Sequence, residues 1–111
     1  MSRVGKPLAW LHGEVRTPPL STEARIEMGR LLRRLQRGEL LPFPESRPMN
    51  TIGKNCHELR LRDEDADWRL IYAVRPDAVV VLDVFPKKSN RTPREVLSAC
   101  RSRIRRYDET K

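Results

Sequence analysis

Residues 78–85 read Ala-Val-Val-Val-Leu-Asp-Val-Phe, and no other segment constrains the fold as tightly. The run is apolar at both parities of an extended chain, which suits the middle of a sheet. Two more extended segments precede it. In residues 57–62, Leu59 and Leu61 alternate with Glu58, Arg60 and Arg62. In residues 68–75, Trp68, Leu70, Tyr72 and Val74 share one face, while Arg69, Ile71, Ala73 and Arg75 share the other. The acidic stretch Asp63-Glu64-Asp65-Ala66-Asp67 and the pair Pro76-Asp77 read as the turns between them. Links this short join antiparallel neighbours, so the three segments predict a meander.

Helices are predicted on either side of the meander in sequence. Ser21 has the chemistry of an N-cap. From Thr22 to Arg37 the apolar residues Ala24, Met28, Leu31, Leu32 and Leu35 fall on one helical face, and Arg25, Arg30, Arg33, Arg34 and Arg37 on the other. Gly38 stands where a C′ residue would. Before this helix, residues 7–15 predict a short strand, ended by the break Thr17-Pro18-Pro19-Leu20-Ser21. After it, residues 39–55 predict a proline-rich loop that opens on another helical turn. Thr92-Pro93-Arg94-Glu95 reads as a capping box with proline at N1. The helix that follows carries Val96, Leu97, Cys100, Ile104 and Tyr107 on its apolar face. The order β-α-(α)-β-β-β-α predicts an α+β fold: a small, antiparallel-rich sheet with helices packed on it, as one domain over residues 1–111.

Charge narrows the function classes. The 111 residues carry a formal charge of +8. Residues 1–50 hold nine basic and five acidic side chains, residues 51–85 five and seven, and residues 86–111 nine and three. Arginine outnumbers lysine, and its planar fork suits phosphate. A basic end on a basic chain points to nucleic acid or an acidic protein partner. Cys56 and Cys100 form no CxxC and no metal spacing, so two reduced thiols are expected. The longest apolar stretch, broken by Asp83, is far below the ~20 residues of a membrane span. The start has no signal-peptide pattern, and a cytoplasmic protein is expected.

The densest cationic turn, Lys87, Lys88 and Arg91, lies where the last strand hands over to the last helix. Pro86 is expected to stop the strand from pairing further, and the helix N-terminus adds its own preference for anions. The Trp68/Leu70/Tyr72 face is expected on the helices. That would bring Arg60, Arg62 and Arg69 out on the opposite, polar face and into one cleft with the basic turn, as a nucleic-acid backbone requires. Strand arginines are also commonly solvated, or paired with carboxylates such as Glu58 and Asp67. Tyr72 reads as core by periodicity, and His12 and His57 as structural histidines. Neither GxSxG nor a Walker A motif is present.

Residues 54–107 resemble the HigB-like, phage-derived branch of the RelE/ParE toxin superfamily. The resemblance rests on His57-Glu58-Leu59-Arg60, Trp68-Arg69-Leu70-Ile71-Tyr72, Phe85-Pro86-Lys87-Lys88, Thr92-Pro93, and Ala99 with Arg103. It implies a toxin of a type II toxin–antitoxin system, held in check by a helix-turn-helix antitoxin. It also implies cleavage of mRNA, commonly on the ribosome, with no metal or other cofactor. The 2′-OH would attack the adjacent phosphate, whose growing charge needs fixed cations. By this resemblance Arg69, Lys87 and Lys88 are catalytic: Arg69 and Lys88 stabilise the phosphate, and Lys87 also helps Arg60 to position RNA. Lys54, Arg62 and Arg91 complete the binding set with Arg60, and Tyr107 is the candidate proton shuttle. Two other readings fit the superfamily: a ParE-like poison of DNA gyrase without ribonuclease activity, and an inactive basic binding module of phage origin.

Overall fold

The computed structural model describes residues 5–11, 20–64, 66–88 and 91–110. Its elements are β1 (Leu8–Trp10), α1 (Thr22–Gln36), β2 (Ser46–Pro48), β3 (Cys56–Arg62), β4 (Asp67–Val74), β5 (Val79–Pro86) and α2 (Arg94–Glu109). His12 and the remainder of the predicted first strand fall outside the described residues. The fold is α+β: five strands in the order β1-β5-β4-β3-β2, mostly antiparallel, with two helices packed on the sheet. β3, β4 and β5 form the expected meander. β1 adds to β5 in parallel, so the doubly apolar strand lies inside the sheet.

Helix α1 follows its sequence signals closely. Ser21 Oγ accepts from the Ala24 N–H at 3.1 Å, which satisfies one donor of the first turn. At the other end Gly38 takes φ +94, a conformation that a side chain would strain. There the Gly38 N–H donates to the Leu35 carbonyl and the Glu39 N–H to the Arg34 carbonyl, a Schellman pairing. Ala24, Met28, Leu31, Leu32 and Leu35 are all buried against the sheet. Each fully buried aliphatic side chain contributes roughly 1.5–3 kcal/mol.

The two helices do not share a face of the sheet, contrary to expectation. Trp68, Leu70 and Tyr72 pack with α1, together with Leu59, Leu61, Val79, Val81 and Val84. Ile71, Ala73, Val80 and Leu82 face the other way and pack with Cys100 and Ile104 of α2. The reason lies in the strands. Ile71 and Ala73 share the parity of Arg69, so that face is apolar at one end and cationic at the other. Helix α2 covers only the apolar end.

Three local expectations also change. Residues 39–55 contain β2, paired antiparallel to β3 through Ser46↔Leu59 and Pro48↔His57, and residues 39–42 form no helical turn. The capping box is not made. Pro93 is the N-cap of α2, no side chain caps it, and the Thr92 hydroxyl turns to Glu58 instead. Pro86 does not end the pairing of β5: it lies opposite Trp68, and the Lys87 N–H donates to the Asp67 carbonyl at 2.7 Å. Alternation directs the missing N–H of Pro86 away from β4, toward a side where β1 has already ended.

A bulge in β5 reorients the end of that strand. Tyr72 pairs with Val81 but Ile71 pairs with Asp83, so β5 carries an extra residue there. Val79 and Val81 point to α1, yet so does Val84. The parity has flipped, and Phe85 now packs on the α2 side. Arg103 of α2 spans the bulge: its Nη1 donates to the Leu82 carbonyl at 2.6 Å and lies 3.6 Å from Asp83 Oδ2.

His57 stacks on Tyr72 with ring centroids 5.2 Å apart, and burial lowers its pKa. A depressed histidine pKa means that the unfolded chain takes up the proton first. Stability is therefore expected to be full above the unfolded value, about 6.5, and to decline as pH falls through it. Urea midpoints measured between pH 7.5 and 5.5 should fall, and His57→Gln should flatten that slope. Asp63, whose pKa is lowered by the Ser21 N–H, acts in a separate and more acidic window.

Candidate functional site

The cationic end of the sheet is where the predicted site residues meet. A depression with about 290 Å³ of empty space, open mouth included, is lined there by Arg47, Glu58, Arg60, Arg69, Phe85, Lys87, Lys88, Arg91, Thr92 and Pro93. Six of these described residues are cationic and one is acidic. Each comes from a different device. Arg60 and Arg69 are direct cross-strand partners on β3 and β4. The bulge turns Phe85, and with it the end of β5, to the same side. Lys87 is pinned by its backbone bond to Asp67, and Arg91 to Pro93 lead into α2. The first turn of α2 adds backbone N–H dipoles that favour an anion.

Glu58 organises the floor. It is only 2% exposed. Arg47 Nε donates to its Oε1 at 2.9 Å, and Arg69 Nε lies 3.6 Å from the same oxygen. Thr92 Oγ1 donates to Oε2 at 3.4 Å. One carboxylate thus joins β2, β3, β4 and the entry to α2. Arg69 is itself buried, at 6% exposure, and also donates to the Trp68 carbonyl at 3.2 Å. Burial lowers its pKa, opposed chiefly by the charge of Glu58, while Arg60 pushes in the same direction as burial. An arginine stays charged under such a shift. Of the two readings open for a strand arginine, solvated or paired with a carboxylate, Arg69 takes the second, with Glu58 as its partner, and its charge is held in a fixed place below the surface.

Other predicted residues lie elsewhere. Arg62, at the end of β3, is highly exposed, 3.7 Å from Asp67 Oδ1. It borders a neighbouring depression that also takes in Pro44, Glu45, Arg60 and Arg69. Lys54 precedes β3 at its far end, where its carbonyl accepts from Arg75 Nη1. The pair Cys56↔Ala73 there is four residues from Arg60↔Arg69, or roughly 14 Å along the strand. Tyr107 sits near the C-terminal end of α2, about 20 Å of helix rise from Arg94, and donates its hydroxyl to Asp77 Oδ2 at 2.6 Å. The fold does not bring Tyr107 to the cationic depression. Tyr72 is buried under α1 and bonded to Ser46, with its pKa raised by burial. Cys100 is pushed up to about 12 by burial, an inert thiol.

Arg47 and the role of Thr92 were not legible in sequence. Arg47 belongs to a three-residue strand inside a stretch whose prolines read as loop. A three-residue alternation is too short to register as a period. Among the described residues no group of three or more His, Cys, Asp or Glu is placed to hold a metal ion, and no helix is long and apolar enough to cross a membrane.

Comparison by sequence places the chain in the RelE/ParE-like toxin superfamily. The sequence model of one family in it, "Phage derived protein Gp49-like (DUF891)", matches residues 19–105. The chain belongs to that Gp49-like family. No curated protein matches the sequence. The match spans α1 to α2 and so contains every lining residue of the depression.

Removing Glu58 would leave the buried Arg69 charge without its carboxylate. Glu58→Ala is expected to cost about 3 kcal/mol or more, seen as a lower urea midpoint. Glu58→Gln, which keeps the shape and one acceptor, should cost less.

Proposed function

We propose that this protein is the toxin of a type II toxin–antitoxin pair, of the HigB-like kind, and that it cleaves mRNA on the ribosome. The observation that carries this reading is the convergence of Arg47, Arg60, Arg69, Lys87, Lys88 and Arg91 on one depression at a helix N-terminus. Six cations against one carboxylate suit a substrate with successive phosphates, and the family belongs to a toxin superfamily.

The reaction is attack by a ribose 2′-oxygen on its own 3′-phosphate. The new bond is O2′–P and the bond that breaks is P–O5′. The products are a 2′,3′-cyclic phosphate and a 5′-hydroxyl, which receives a proton as the 2′-hydroxyl loses one. Charge builds on the non-bridging oxygens, and donors already fixed in place stabilise it most. Arg69, locked by Glu58, and Lys88 serve that charge. Arg60 and Lys87 position the strand, with Arg91 at the helix entry and Arg62 on the path out. Lys54 lies too far along β3 to share the scissile phosphate, so its contact would be with a distant nucleotide or with the ribosome. A helix-turn-helix antitoxin that presents acidic groups to this rim would silence it.

The proton acceptor is open to a direct test. Glu58 is the one acidic side chain among the described lining residues. Retained cleavage in a folded Glu58→Gln variant excludes Glu58 as the proton acceptor and limits it to holding Arg69. Tyr107→Phe is expected to leave cleavage unchanged.

Induction without the antitoxin should arrest growth and leave cut transcripts. Lys88→Ala, at an exposed position, should abolish both effects at an unchanged melting temperature. Arg69→Ala is a poorer probe, because it removes one of the two arginines that pair with the buried Glu58. Growth arrest with intact mRNA, together with inhibited supercoiling by purified gyrase, would replace this reading with the ParE-like one. No toxicity at all would leave the inactive binding module.

A further inference from the structure

Phe43 is 70% exposed, an unusual place for a phenylalanine in a chain with so few aromatic residues. It lies just before β2, in the proline-rich stretch. The guanidinium carbon of Arg60 stands 5.6 Å from the centroid of its ring. Arg60 Nε is buried and has no hydrogen-bond partner among the described residues. Arg60 also lines both depressions, the cationic one and the neighbouring one to which Pro44, the residue after Phe43, contributes.

We propose that Phe43 is a base-stacking residue: it receives the nucleobase of a nucleotide whose phosphate is held by Arg60, and so fixes where the RNA strand lies relative to the cleavage point. This rests on the reading of the depression as an RNA site and adds to it a residue that touches the base. Three observations carry it. The ring is solvent-exposed and lies against Arg60, one of the cations of the depression. Arg60 links the ring to the phosphate depression within a single side chain. An aromatic ring beside a backbone-binding groove is how single strands are held without base-pair readout. Stacking accepts every base, so Phe43 supplies register rather than sequence choice.

The test uses the full-length chain and short 2′-O-methyl oligoribonucleotides, which bind but lack the 2′-OH needed for cleavage. One oligonucleotide carries 2-aminopurine, and a matched one has the same number of phosphates but is abasic at that position. Wild-type protein should bind the first more tightly and change the 2-aminopurine fluorescence. Phe43→Leu should weaken that binding by about five- to a hundred-fold, remove the fluorescence change, and leave the affinity for the abasic strand as it was. Phe43→Trp should restore both signals. Arg60→Ala should weaken binding to both strands. Equal binding of both strands by wild type and Phe43→Leu overturns the proposal, including the case in which Phe43 serves a protein partner. If wild type binds neither strand, the RNA reading of the depression fails first and this inference falls with it.

Discussion

The site depends on one buried carboxylate. Glu58 sits inside the protein with Arg47 and Arg69 on one oxygen and Thr92 on the other. Burying a charge is costly unless it is paired and hydrogen-bonded. Here the pairing reaches across β2, β3, β4 and the start of α2, so the cost is offset only when all four are in position. The same contacts that make Glu58 tolerable hold Arg69 in one orientation. A guanidinium held in this way need not reorganise when a phosphate arrives, which is what electrostatic preorganisation requires.

The division of the sheet's second face extends this logic. Helix α2 covers Ile71, Ala73, Val80 and Leu82 and stops short of Arg69. Its N-terminus therefore opens at the boundary between the apolar and the cationic halves. Arg103 of α2 reaches back to β5. By bonding the Leu82 carbonyl and pairing with Asp83 it clamps the bulge that rotates Phe85 and Lys87 to the site. Arg103 thus has a structural part in the fold, as the side chain that holds the bulge.

Much of this was legible in sequence because strand parity and helical period are local properties. Alternation placed Arg60 and Arg69 on one face, and the capping and C′ signals of α1 proved accurate. The misses share a cause. Thr92 has capping chemistry, but a buried carboxylate from another strand competes for its hydroxyl. Pro86 lacks a donor, yet among the described residues no strand lies on the side to which that donor would point. Tyr107 has the side chain of a proton shuttle, but the length of α2 carries it to the far end. Arg47 and Phe43 lie in a segment with too short a period to read.

The sequence by itself determined the two helices, the β3–β4–β5 meander and the density of charge at the turn after Pro86. These follow from backbone geometry and side-chain type within a few residues. Only the tertiary structure decided which face α2 would cover, how the bulge would rephase the end of β5, and that Glu58 would gather two arginines and a threonine beneath the cations. Those outcomes depend on contacts between residues distant in sequence, such as Thr92 and Glu58, 34 residues apart, and contacts of that range leave no local trace in the chain.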